Sequence, residues 1–397
     1  MMLNWKQRLS VVSGNAFEFY DIAVFAAISP YITQIFKNSG IENAEYVVWG
    51  IFALRFLARP IGGYIIGMIA DKKGKKNALV ITSYLTGIAT VLMGLLPTDI
   101  NNIVIIFLLL QMIQAFSFGG EYPTIVNYLL DSSKSKEHSK TSSLIVASSI
   151  VGVIVSIVIV EVLTLLLSHQ EMSEFGWRIP LFIGAINIGI GFWFRRTLPN
   201  HTTSKNKISG NNIEIITKTF LVAITGAIIF YVQNLSSGII QNQLNIPHFS
   251  LINSLVLFVL ILFSGWITDR YSHANEAFKR GLLSALFLYY PLYWLLSTAD
   301  TLSVQLIALF LISFVSAIIL SNLAAILFYI AKGQTLMLGL GYNIALSIFG
   351  GLSPLIVQIL SNYDVSFVGL YAALSSIPAL ISYYIFAKVK KTIEFGI

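Results

Sequence analysis

The sequence predicts an all-α membrane protein of twelve transmembrane helices in two six-helix bundles. Three observations carry that expectation: an apolar composition, the regular spacing of long apolar runs, and a motif that recurs half a chain apart. Of 397 residues, 56% are hydrophobic and 11% charged, and the mean hydropathy is +0.78. Soluble chains average about 25% charged residues. A chain this poor in polar surface cannot cover a water-exposed globule of its size, so a bilayer is its expected solvent. It has no cysteine, hence no disulfide and no thiolate metal site. Five scattered histidines form no ligand pair at helical spacing. No nucleophile–base pair is evident either, so neither an enzyme nor a resident cofactor or metal is expected.

A spanning helix needs about 20 mostly apolar residues. Runs that satisfy this are Gly14–Ile35, Tyr46–Ala70, Ala78–Leu96, Ile103–Leu130, Leu144–Leu167 and Ile179–Phe194. A polar stretch with Pro199, Ser204, Lys205, Lys207 and Gly210 then breaks the pattern, as a linker does. Six more runs follow: Ile215–Ile240, Leu251–Trp266, Gly281–Ser297, Val304–Ala331, Leu336–Leu360 and Val365–Ala387. The sixth and eighth are the shortest. The domain expectation is a bundle over 1–197, a cytoplasmic linker over 198–214 and a bundle over 215–397.

Loop charge alternates. One set of loops holds Lys6, Arg8, Lys72, Lys73, Lys75, Lys76, Lys134, Lys136 and Lys140, then Arg195, Arg196, Lys205, Lys207 and Lys218. It continues with Arg270, Lys279, Arg280, Lys332, Lys388, Lys390 and Lys391. The other set holds only Lys37 and Arg178 against Glu42, Glu45, Asp99, Glu171, Glu174, Asp300 and Asp364. Basic loops stay inside, so both termini are expected in the cytoplasm of a multi-pass inner-membrane protein. The same rule accounts for the net charge of +7 without nucleic acid, which would need one contiguous basic face. No cleavable signal peptide is expected, because the first apolar run carries acids and lacks a small-residue cleavage pattern.

The halves repeat. Gly67-x-x-x-Asp71-Lys72-x-Gly74-Lys75-Lys76 follows the second span, and Gly265-x-x-x-Asp269-Arg270-x-Ser272 follows the eighth, 198 residues later. Two six-helix halves related by an axis along the membrane normal is an arrangement known for transporters.

With these residues on view, the chain resembles the major facilitator superfamily, and within it the metabolite:proton symporters. Gly67 to Lys76 matches the superfamily's loop between its second and third helices. Four blocks extend the likeness: G-N-A-F-E-F-Y-D from Gly14, R-P-I-G-G from Arg59, Q-A-F-S-F-G-G-E-Y from Gln114 and G-W-R-I-P from Gly176. A fifth, from Gly341, is similar to the branch's eleventh helix. The resemblance implies alternating access driven by the proton gradient, a small-molecule substrate, and a latching role for the loop of Gly67, Asp71, Gly74 and Lys75. Three departures stand out. The superfamily's basic residue on the fourth helix is Gln111 here, and the glycine of its Gln-Gly is Ala115. The second-half loop lacks its Gly-Arg-Arg. No long C-terminal extension is expected after the last span.

Helical rise converts position into depth. Arg59 lies about 18 Å above Asp71, Asp21 about 16 Å above Ser10 and Glu121 about 15 Å above Asp131. All three fall near the middle of a core about 30 Å thick. Glu18 and Asp21, three apart, share one helical face. Glu18 lies a turn nearer the cytoplasm and Arg55 a turn nearer the outside. Glu161 is the one other acid that depth could match to Arg55.

Charges inside a bilayer are costly and usually functional. The alternative for Glu18 and Asp21 is capping or snorkelling near the inner surface. Asp21 and Glu121 are the candidates for proton coupling, with Glu18 assisting. Arg59 suits a bidentate grip on a substrate carboxylate, with Arg55 nearby. Otherwise Arg59 is a structural partner of Asp21 or Glu121. Tyr20, Tyr122, Tyr231, Asn234, Asn322, Tyr329 and Asn343 could hydrogen-bond the neutral part of a solute or offer a cation–π face. Interhelical bonding is the competing role for each. The expected function is proton-coupled symport of a small polar metabolite, an organic acid first and a proline- or betaine-like zwitterion second. A monomer is expected, in contact with lipid and protons. A non-transporting sensor or an uncoupled facilitator of the same fold is the rival class.

Overall fold

The computed structural model describes residues 3–98, 102–196, 212–246 and 248–384. Of the expected linker, 198–211 lie outside the described residues, and 212–214 already open a helix. The loop charges Asp99, Lys205, Lys207, Lys388, Lys390 and Lys391 and the last three residues of the twelfth expected span also lie outside them.

Among the described residues there is helix and no strand. In order these are α1 (Trp5–Asn38), α2 (Ala44–Arg55), α3 (Ala58–Lys73), α4 (Lys75–Leu95), α5 (Ile103–Asp131) and α6 (His138–Leu166). The one-turn α7 (His169–Glu171) leads through a π-helical turn, Met172–Gly176, into α8 (Arg178–Arg196). Then come α9 (Asn212–Gln233), α10 (Ser237–Leu244), α11 (Phe249–Tyr271), α12 (Ala274–Thr298) and α13 (Leu302–Ala331). Last are α14 (Thr335–Ala345), a π-helical turn (Leu346–Gly350), α15 (Gly351–Tyr363) and α16 (Val365–Leu374). Among the described residues, eleven stretches are long and apolar enough to cross a bilayer, and Arg178–Ile190 forms a shorter apolar helix where the sixth span was expected. The eighth expected span proves longer than its apolar run, because α11 extends to Tyr271.

Four expected single helices are interrupted among the described residues: the seventh over 234–236 between α9 and α10, the twelfth at Ser375, after which helix resumes over 376–384, and the second and eleventh. The second span breaks between α2 and α3 at Phe56–Leu57. Pro60 has no N–H to give the Phe56 carbonyl, which instead accepts from Arg59 N at 3.1 Å, one residue early. The break puts Arg55 at the end of one helix and Arg59 at the start of the next. In the eleventh span the interruption is the π turn ahead of Pro354.

The chain packs into two compact units. One comprises Met1–Ser133, Ala147–Lys207 and Gly333–Asn343; the other comprises Lys134–Val146, Ile208–Lys332 and Ile344–Ile397. Each therefore holds one short segment from the other half of the sequence. In the first, α3 packs on α5, α4 on α5 and α8, and α1 on α8. In the second, α12 packs on α13 and α16, and α13 also on α9 and α11. The α3–α5 contact is backbone to backbone. A Cβ on Gly62 would collide with the Phe116 carbonyl, and one on Gly119 with the Arg59 carbonyl. Small residues let membrane helices approach in this way.

The outward faces are apolar. Leu255, Val259 and Phe263 form an exposed stripe on α11, and Phe287, Tyr290 and Trp294 are exposed on α12. In water such patches would drive aggregation, whereas in lipid they are the ordinary surface.

Candidate transport site

Five charged side chains are buried together in the first unit. Glu18 and Asp21 come from α1, Arg55 and Arg59 from the two sides of the Pro60 break, and Glu121 from α5. Each is at most 3% exposed. Three acids thus face two bases.

Arg59 is tied down at both ends of its guanidinium. Nη2 donates to Glu18 Oε1 at 3.5 Å, and Nε donates to Asn343 Oδ1 at 3.4 Å. The Asn343 amide donates in turn to the carbonyls of Gly119 (2.6 Å) and Gly339 (2.7 Å). The acid opposite Arg59 is Glu18, not Asp21 or Glu121 as the sequence suggested for a structural pairing.

Asp21 takes its hydrogen bonds from neutral side chains. Its Oδ2 accepts from Thr90 Oγ1 at 2.8 Å and from Gln114 Nε2 at 3.2 Å. Gln114 Nε2 also donates to Thr90 Oγ1 at 2.7 Å. Asp21 Oδ1 is buried with no hydrogen-bond partner among the described residues. Gly184 of α8 leaves room for it, since a Cβ there would strike that oxygen.

Arg55 lies over the ring of Phe52 at 4.2 Å, with Phe56 at 5.4 Å and Phe25 at 5.5 Å. Its Nη1 donates to Gln111 Oε1 at 2.6 Å. Glu161, the acid considered for it by depth, is exposed.

Glu18 and Glu121 both line a small cavity of about 10 Å³, with Ser83, Thr86, Phe17 and Phe118 around it. That is room for about one water. The two tyrosines beside the acids differ in what they do. Tyr20 donates its hydroxyl to the Pro180 carbonyl at 2.9 Å, which ties α1 to α8. Tyr122 stacks on Tyr342 with centroids 4.5 Å apart and planes at 14°.

The other sequence-named residues belong to the second unit. Tyr231 is buried with its ring against Gly350. Asn234, one residue past α9, donates to the Phe230 carbonyl of that helix, and its Oδ1 is buried without a hydrogen-bond partner among the described residues. Asn322 donates to the Ile318 carbonyl at 2.9 Å and to Ser321 Oγ at 3.1 Å. Tyr329 pairs its hydroxyl with His138 Nδ1 at 2.9 Å, two residues from the end of α13.

The loop motif has its own geometry. Asp71 accepts from the backbone N–H groups of Thr335 (3.1 Å) and Leu336 (2.9 Å), which open α14. Gly67 allows this approach, because a Cβ there would come within 2.9 Å of Leu336 Cα. Gly74 adopts φ 97°, which favours glycine, and separates α3 from α4. Lys75 is buried and ion-paired with Asp131. In the second unit, Asp269 accepts from Ser139 N (3.0 Å) and Lys140 N (2.8 Å) at the start of α6.

Sequence reasoning missed Thr90, Asp131 and the Phe25–Phe52–Phe56 cage. It saw Gln114 only as part of a motif. A threonine in an apolar span gives no signal of the carboxylate it will meet, and a cage drawn from two helices has no single spacing.

The family model of the Major Facilitator Superfamily matches residues 11–354. The chain belongs to the Major Facilitator Superfamily. Its relatives there include a putative proline/betaine transporter of Staphylococcus aureus (strain COL), 30% identical over 373 residues, covering 86% of this chain and 79% of that protein. The ectoine/proline transporter ProP of Corynebacterium glutamicum is 26% identical over 390 residues, covering 88% and 77%. The alpha-ketoglutarate permease of Escherichia coli (strain K12) is 26% identical over 372 residues, covering 85% and 83%. Among solved structures, the superfamily proton:xylose symporter XylE superposes with a TM-score of 0.76 at 14% identity, covering 96% of this chain and 95% of that one. The twelve-helix superfamily fold and a transporter rather than an enzyme follow, in a multi-pass membrane protein.

Proposed function

We propose that the chain is a proton-coupled symporter of a small carboxylate-bearing metabolite, working by alternating access in the inner membrane with both termini cytoplasmic. Its two bundles would be 1–197 and 215–397, joined by the linker 198–214, with no cofactor beyond the proton gradient and a monomer as the working unit. One observation carries this: a buried cluster in which three carboxylates outnumber two arginines. An acid in excess inside a membrane is expensive as an anion, so it is suited to bind and release a proton. Asp21 is the first candidate, because one of its oxygens is held by Thr90 and Gln114 while the other has no bond among the described residues. Glu121 shares a water-sized cavity with Glu18 and offers a relay. Arg59, already paired with Glu18, could exchange that carboxylate for one on the solute.

A proline- or betaine-like zwitterion is the second reading. Two observations favour it: the stacked Tyr122–Tyr342 pair, suited to a cationic or apolar solute face, and the proline/betaine transporters among the relatives. Purified protein in proteoliposomes, given labelled L-proline, glycine betaine or 2-oxoglutarate under an imposed pH gradient, tests both. Accumulation that collapses with the gradient is the expected result. Binding without accumulation would mark a sensor, and gradient-blind equilibration a facilitator. Which probe accumulates separates the two solute classes.

A further inference from the structure

Position 111 of α5, where the superfamily resemblance led us to expect a basic side chain, is a glutamine, yet the space beside it is not without charge. The Arg55 guanidinium reaches Gln111 Oε1 at 2.6 Å from the end of α2. We propose that Arg55 is the cation that works on Asp21, supplying from α2 the positive charge that position 111 lacks. The proposal rests on the proton-coupling reading above and gives Arg55 a role other than gripping solute.

Four features support the assignment. First, the Pro60 break ends α2 at Arg55, which frees the side chain to leave the α2–α3 axis. Second, the guanidinium is 3% exposed and sits among three phenylalanine faces at 4.2 to 5.5 Å. Such a cage holds a planar cation in place, a cation–π contact being worth about 0.5–2 kcal/mol. Third, Gln111 and Gln114 stand three apart on α5 and so share a face; one holds Arg55 and the other holds Asp21. The pair therefore fixes the base and the acid relative to each other. Fourth, Asp21 lies within electrostatic range of both Arg55 and Glu121.

The groups that face Asp21 are Thr90 from α4, Gln114 and Glu121 from α5, Arg55 from α2, and its neighbour Tyr20 on α1; α8 presents Gly184. Glu18 lies a turn earlier on α1, occupied with Arg59. Arg55 is thus the cation aimed at Asp21, while Arg59 serves Glu18. Arg55 acts through Asp21 and is a positioning residue.

The test follows the carboxyl stretch of Asp21 by infrared difference spectroscopy across pH, in lipid-reconstituted protein without solute. The band is assigned by its loss in Asp21→Asn. Arg55→Gln is expected to displace the titration midpoint by a pH unit or more. Gln111→Arg in the same chain is expected to bring it back, and Arg55→Lys to hold it near the wild-type position. A structural role for Arg55 would not be rescued by moving the charge to another helix. Should Arg55→Gln fail to fold, Gln111→Glu neutralises Arg55 without removing its packing and is expected to displace the midpoint too. An unmoved midpoint in Arg55→Gln or Gln111→Glu, or no return in the double variant, overturns the proposal. The readout needs no transport. A wild-type protein that never accumulates solute under a pH gradient would end the coupling reading while the titration still decides the role of Arg55.

Discussion

Asp71 and Asp269, 198 positions apart, cap helices in the same way: each carboxylate accepts two consecutive backbone N–H groups at a helix start, Asp71 on α14 and Asp269 on α6. Helix starts leave N–H groups unsatisfied and carry partial positive charge, so an aspartate satisfies both needs. Replacement by asparagine keeps an acceptor but removes the charge. Asp71→Asn is expected to raise amide hydrogen exchange at Thr335 and Leu336 and leave Ser139 and Lys140 unchanged. Asp269→Asn is expected to do the reverse. Each loses about 1–2 kcal/mol of local stability, since charged hydrogen bonds contribute about 1.5–3. Exchange that rises at neither site, or at both together, would contradict two separate caps.

Arg59→Ala is expected to abolish solute binding and also to destabilise the protein by about 3–5 kcal/mol, because Glu18 is left buried without its partner. The two effects separate in Glu18→Gln/Arg59→Gln, which removes the orphaned charge. That double variant should recover most of the thermal stability yet still bind nothing. Binding restored along with stability would show that Arg59 is structural only.

Asp21→Asn is expected to retain a hydrogen bond from Thr90, since the amide oxygen still accepts. The fold should survive. Solute exchange between equal concentrations across the membrane should persist, while accumulation under a pH gradient should fall at least tenfold. Gradient-driven uptake at the wild-type rate would remove Asp21 from the proton path.

The fold was legible in the sequence because apolar runs, loop charge and the repeated Gly-x-x-x-Asp motif are local or periodic signals. The Glu18–Asp21 face followed from helical spacing alone. What was not legible depends on which helices meet. The sequence offered Asp21 or Glu121 as a structural partner for Arg59, and only the packing of α3 and α1 on α5 brings Glu18 to it. The Phe cage of Arg55 joins residues from α1 and α2 with one at the break, and Pro60, read in the sequence as part of a block, causes that break. Tyr329, a candidate solute contact alongside Asn322, is carried by helical rise to the end of α13, beside His138, which its sequence position alone did not show.

Asp364 gives a prediction with a pH sign. It stands between two spans as the N-cap of α16, accepting from Ser366 N at 2.7 Å, with Ser297 Oγ at 3.4 Å. The backbone bond from Ser366 holds its carboxyl below the usual carboxylate range. A depressed folded-state value means the cap stabilises the protein wherever the unfolded carboxylate is already ionised, and that this contribution is lost as pH falls through the folded value. Asp364→Ala should therefore lower thermal stability at neutral pH by the equivalent of about 0.5–2 kcal/mol, the usual worth of an N-cap. The gap between wild type and variant should hold at mildly acid pH and shrink only below the reference value of 3.8. Thermal unfolding in detergent across that range reads it directly. A gap that closes near neutral pH would assign the stabilisation to another titrating group, and no gap at all would mean that water caps α16 as well as Asp364 does.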